Sequence, residues 1–185
     1  MKKYSIFFLI IFILSCSNKK SSINTFEEKS TKELNINSTS IVILGTIQDA
    51  GSPQIGCNKS CCINLFENPD NSRQIVSLGL IDAQNNKTYL FEATPDIARQ
   101  MKMLTNYEAQ SNKEIADGIF LTHAHIGHYT GLMFLGKEAM DAKNTTVYTM
   151  PRMKEFLINN GPWSQLVARE NIKLNELKNE KAIQL

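Results

Sequence analysis

Histidine is scarce in this chain of 185 residues: there are three, His123, His125 and His128, and no others. Solvated surface histidines scatter, so three confined to six positions point to a shared ligand. A charge excess is also missing. If Lys2 and Lys3 leave with an N-terminal leader, 20 − 2 = 18 basic residues balance 18 acidic ones. A chain without a basic excess or a basic stripe lacks the electrostatic footprint of nucleic-acid binding, and that class is set aside. The apolar stretch from Tyr4 to Leu14 is too short to span a bilayer comfortably as a helix. There is no internal repeat, and the 42% hydrophobic content is that of a globular protein with room for one core.

What the N-terminus does contain is Lys2 and Lys3, then the apolar stretch, then Ser15 and Cys16, the plan of a secretory leader. Ile13-Leu14-Ser15-Cys16 resembles a bacterial lipobox. The resemblance implies a signal peptide over 1–16, lipidation at Cys16 and a membrane-anchored lipoprotein outside the cytoplasm, in the bacterial cell envelope. An ordinary cleaved signal or an uncleaved anchor is the alternative. Residues 17–40, rich in Ser, Asn, Lys, Thr and Glu, suit a flexible polar tether, which leaves 41–185 for the folded domain.

Ser40–Thr46 is a β-branched apolar run ended by glycine and reads as the first core strand. The loop after it, Gln48–Gln54, is a candidate wall of an active site or a plain surface turn. Ile75–Asp82 and Thr88–Ala93 flank a polar connection of hairpin length, which predicts two antiparallel strands. Thr94 and Pro95 read as the cap and first position of a helix whose apolar face holds Ile97, Met101 and Leu104. A strand then leads into the histidines, followed by a helix over Gly131–Asp141, a strand near Thr145–Met150, a helix from Pro151 to about Asn160, and a short strand-like piece, Ile172–Leu174. Gly161 and Pro162 read as the stop of that last helix. Strands first and βα units later predict a mixed sheet with helices packed on it, an α/β architecture.

Cys57, Cys61 and Cys62 lie close together in sequence. Clustered thiolates are soft ligands for a structural zinc, which normally takes four donors, so a fourth must come from elsewhere. Outside the cytoplasm a disulfide that includes Cys57 competes with this reading, whereas a bridge between the adjacent Cys61 and Cys62 would be strained.

Imidazoles are good zinc ligands, and two of them separated by one residue reach one ion from a loop while a third approaches from the other side. Thr122-His123-Ala124-His125-Ile126-Gly127-His128 resembles the His-x-His-x-Asp-His signature of the metallo-β-lactamase fold superfamily. Leu44-Gly45-Thr46, Gln48-Asp49, Pro53-Gln54, the cysteine cluster, Phe91–Asp96 and Asn160–Ser164 resemble the branch that contains coenzyme PQQ synthesis protein B, and the similarity runs from about Ile41 to Leu174. It implies the N-terminal half and a little more of an αββα sandwich. His123 and His125 would bind a first metal and His128 would face a second, with one or two zinc ions in all, while the cysteines would hold a structural zinc. It also implies a metal-dependent hydrolase acting on a small molecule, with no residue assigned as catalytic.

Two departures cut against that activity. Gly127 stands where the motif has aspartate and cannot ligate an ion, and no histidine follows His128. The alternatives are a non-catalytic metal or small-molecule binding protein, or an inactive truncated fragment. Half a sandwich leaves an inner apolar sheet face uncovered, so self-association or a missing C-terminal half is expected.

Overall fold

The computed structural model describes residues 36–107 and 113–185, all within one compact unit, Glu33–Leu185. The expected leader, Cys16 and the tether as far as residue 35 lie outside the described residues. No helix among the described residues is long and apolar enough to cross a membrane.

Six strands form one mixed sheet in sequence order: β1 (Ser40–Gly45), β2 (Ser77–Asp82), β3 (Lys87–Phe91), β4 (Gly118–Phe120), β5 (Thr145–Thr149) and β6 (Ile172–Glu176). β1 with β2 and β2 with β3 are antiparallel, and the remaining neighbours are parallel. β2 therefore runs against the other five. The β2–β3 hairpin expected from the polar connection is present. Its turn is tied by the Asp82 carboxylate, which accepts from Gln84 N, Asn85 N and Asn85 Nδ2 at 3.1, 3.2 and 2.6 Å. These bonds hold the Asp82 carboxyl below its ordinary range, Asn85 contributing most.

Period-two alternation gives the sheet two different faces. On one, the cross-strand partners Leu90, Ile119 and Val147 are fully buried. They share a core cluster with Ile97, Met101 and Leu104 of α2 (Ile97–Thr105), Leu157 of α3 (Pro151–Asn159) and Leu166 of α4 (Trp163–Ala168). Each such side chain contributes about 1.5–3 kcal/mol by leaving water. On the other face, Ile43, Leu78, Phe91, Phe120 and Tyr148 are partners in register across five strands. Its aromatic members stack, with ring centroids 5.0 and 4.4 Å apart, yet Ile43 is 65% exposed and its neighbour in the strand on the same face, Ile41, 69%. No helix of the described residues covers that end of the row.

Two local expectations change. The helix expected from Pro95 opens as a turn and is α-helical from Ile97, while Thr94 Oγ1 accepts from Asp96 N at 3.1 Å as a cap would. Thr94 Oγ1 donates to Gln100 Oε1 at 2.7 Å, and the Asp96 carboxylate accepts from Ile75 N at 2.8 Å. The helix expected over Gly131–Asp141 is a 3₁₀ segment, Thr130–Leu135, followed by turns. Here Gly131 N donates to Ala93 O at 2.8 Å, and a Cβ at 131 would run into the Thr94 carbonyl, so a glycine lets the backbone lie against the end of β3. The helix expected from Pro151 does stop before Gly161 and Pro162, and a further short helix, α4, starts at the residue after the proline.

Candidate metal centre

Because β1, β3 and β4 run the same way, the loops leaving their C-terminal ends meet at one edge of the sheet, where parallel sheets commonly bind ligands. Three loops arrive there, bearing Asp49, Glu92 and the histidines. A short 3₁₀ turn, Ile126–His128, closes the last of them, with His128 N donating to His125 O at 2.9 Å.

Glu92 lies immediately after β3 and is 6% exposed. Its φ of 74° places a non-glycine residue in the left-handed region, at a cost of about 1–3 kcal/mol. The surrounding bonds hold it there: Glu92 N donates to Phe120 O at 2.8 Å, and Ala93 N donates to His128 O at 2.8 Å. Glu92 Oε1 accepts from the Thr122 hydroxyl, and Oε2 accepts from Thr122 N at 3.4 Å. The same hydroxyl lies 2.8 Å from His123 Nδ1.

A threonine hydroxyl has one proton. Since that proton goes to the carboxylate, the oxygen must accept from His123 Nδ1–H, which assigns the tautomer and leaves the lone pair on Nε2 for a metal. His128 presents Nδ1 to the same glutamate, at 3.6 Å from Oε2, and Nε2 to Asp49 Oδ2, at 3.9 Å. Its Nδ1 is buried without a hydrogen-bond partner among the described residues. Both distances are too long for hydrogen bonds.

Glu92, His123 and His128 each place a donor atom within 4.8 Å of the others. Donors about 2.1 Å from a zinc ion stand roughly 3.4 Å apart in a tetrahedron, so imidazoles this close fit one divalent ion on their Nε2 side, with Glu92 behind them on the Nδ1 side. The nitrogen and oxygen donor set suits a first-row transition metal, zinc included. His125 lies beside this group, its ring centroid 4.7 Å from that of His123 and 6.4 Å from that of His128. His123 is closest to His128, at 4.1 Å. The structure thus gathers all three expected histidines, places Asp49 of the expected candidate active-site wall beside them, and adds Glu92 and Thr122, to which sequence reasoning gave no role. A carboxylate ending a buried strand, as Glu92 does, is the signal that could have marked it.

Cys57, Cys61 and Cys62 are unbridged, and their sulfurs also lie within 4.8 Å of one another. Cys61 Sγ and Cys62 Sγ are 3.8 Å apart. The loop enters α1 (Ile63–Glu67), a helix with no buried residue, and is braced by Arg73 Nη1 donating to Cys61 O at 3.4 Å. Three thiols at this spacing fit a zinc ion, and among the described residues no other His, Cys, Asp or Glu joins them.

A family model described as "Beta-lactamase superfamily domain" matches residues 87–185. Among solved structures, the chain is similar to Zn(2+)-bound PqqB from Methylobacterium extorquens, with a TM-score of 0.61 and 21% identity over 78% of this chain and 51% of that one. It is also similar to a diphosphatase from the PhnP family, with a TM-score of 0.54 and 20% identity over 80% of this chain and 53% of that one. The chain therefore spans about half the length of these neighbours, and at such identities the likeness establishes the fold. No curated protein matches the chain.

Proposed function

The chain belongs to the beta-lactamase superfamily, and from that premise we propose that it is a metal-dependent, hydrolase-like protein of the PQQ synthesis protein B type, acting on a small molecule. The observation that carries this reading is the Glu92–Thr122–His123 relay with His128 beside it, which aims two imidazoles at one place and fixes the tautomer of one. Zinc is the metal we assign to it. The chemistry supplied by such an ion is Lewis-acid polarisation of a carbonyl or phosphoryl oxygen.

The chain's own residues do the rest. His123, His125 and His128 hold the ion, and Glu92 keeps the rings from turning. The exposure of Thr122 to Ile126 leaves the histidine loop open to a substrate. Lipidation at Cys16 would hold the domain at a membrane of the cell envelope, and fatty-acid labelling lost in Cys16→Ser checks it. The exposed end of the Ile43–Tyr148 row supports self-association through that sheet face, which sedimentation as a function of concentration would reveal.

A second reading, a non-catalytic binding protein with one ion, is favoured by Gly127, which offers no ligand. Metal analysis of the purified chain separates the two. Two ions per chain at the histidines support hydrolysis, one supports binding or mononuclear chemistry, and none contradicts both.

A further inference from the structure

We propose that Asp49, from the loop after β1, supplies the carboxylate that the histidine motif lacks at Gly127. The inference rests on the metal-binding reading above and adds one ligand to it.

Gly127 is buried and packs directly against Asp49. A Cβ built at 127 would lie 2.5 Å from the Asp49 carbonyl oxygen and 2.7 Å from Asp49 Cβ. Two consequences follow. The glycine is required because the β1 loop occupies the space of any side chain, so restoring an aspartate at 127 would drive the two loops apart. And the Asp49 side chain starts 2.7 Å from the point at which a side chain of residue 127 would start. The carboxylate reaches the same place from a different loop.

Its direction is also suitable. Asp49 Oδ2 lies 3.9 Å from His128 Nε2. Two donors each about 2.1 Å from one ion stand roughly 3.4–4.2 Å apart as the angle between them opens from tetrahedral to linear, so this separation has room for a shared ion and is too long for a hydrogen bond. On the other side of the ring, Nδ1 faces Glu92 Oε2 at 3.6 Å. With its proton on Nδ1, toward the buried glutamate, His128 turns the Nε2 lone pair toward Asp49, the carboxylate–histidine–metal order seen around bound zinc.

The loop is built to hold this position. Gln48 Nε2 donates to Gly51 O at 3.0 Å, Gln48 Oε1 accepts from Ala50 N at 3.0 Å, and Gly51 N donates to Gln48 O at 3.0 Å. The Asp49 carboxylate itself takes no hydrogen bond from the described residues and is partly exposed, so it is free to ligate. Gly51, with φ of 84°, makes the turn that returns the chain.

The test is a cobalt(II) titration of the wild-type chain, Asp49→Asn and Asp49→Glu. Thiolate-bound cobalt gives sulfur-to-metal charge-transfer absorption in the near ultraviolet. Both sites give visible d–d bands, but only the cysteines add charge transfer, so visible absorption that grows without a matching charge-transfer rise reports the histidine site. Asp49→Asn should weaken cobalt binding in the visible bands by about 10- to 100-fold, leave the charge-transfer titration unchanged and leave the circular dichroism unchanged. Asp49→Glu, which keeps a carboxylate on the same loop, should bind more tightly than Asp49→Asn. Equal affinity of wild type and Asp49→Asn, or equal weakness of both variants, would overturn the role of Asp49 alone. A wild-type chain that takes up cobalt only at its thiolates would overturn the metal reading of the histidines with it.

Discussion

The histidine and cysteine sites are both groups of three potential ligands within 4.8 Å, but they are supported in opposite ways. The histidine site is held from behind by a nearly buried glutamate, by Thr122 and by a backbone bond from Ala93 to His128. The cysteine loop has one bond from Arg73 and runs into a helix that buries nothing. A loop with so little apolar burial has little to offset its ordering entropy, so a metal bound there would add to its order. The first site is tied to the fold by its own side chains and backbone, and the second would gain most from an ion. The proposed function assigns chemistry to the first and would leave the second a structural role.

The sharpest way to break the contrast is to remove a ligand. His128→Ala should weaken metal at the histidine site by more than ~100-fold, given that even outer partners of metal ligands cost up to that factor, and should leave thiolate-bound metal untouched. Parallel loss at both sites, read by metal analysis, would mean that the two are one cooperative unit. Chelation comes next. Stripping metal should speed proteolytic cleavage between residues 51 and 68 on the order of tenfold, about 1.4 kcal/mol of local opening, while the segment 121–136 stays protected. Equal cleavage of both segments would contradict preorganisation of the histidine loop. The smallest effect belongs to Glu92→Gln, which keeps the shape and one acceptor oxygen: metal affinity should fall about tenfold and the cysteine site should not respond.

The sequence made the frame legible because the frame depends on short-range pattern. Alternating apolar residues mark β1 to β3, Pro151 marks the start of α3, and three histidines after a strand mark the site. The extent of the binding group was not legible, because Glu92, Thr122 and Asp49 act through contacts between strands far apart in sequence. Only the common direction of β1, β3 and β4 brings them together. The missed elements have the same cause. Thr94 is legible as a cap, but the bonds that tie this helix start to the rest of the fold, Thr94 to Gln100 and Ile75 N to Asp96, are not. Gly131 looks like an ordinary helix residue until the end of β3 is seen to press on it. Gly127 read as a lost ligand; its packing makes it the place where another loop enters.

The most direct measurement is an anomalous-difference map at the zinc edge, from crystals of the chain grown with zinc. The account predicts zinc density bounded by His123, His125, His128 and the Asp49 carboxylate, and a separate peak among the sulfurs of Cys57, Cys61 and Cys62. A map with density at the cysteines and none at the histidines would contradict it.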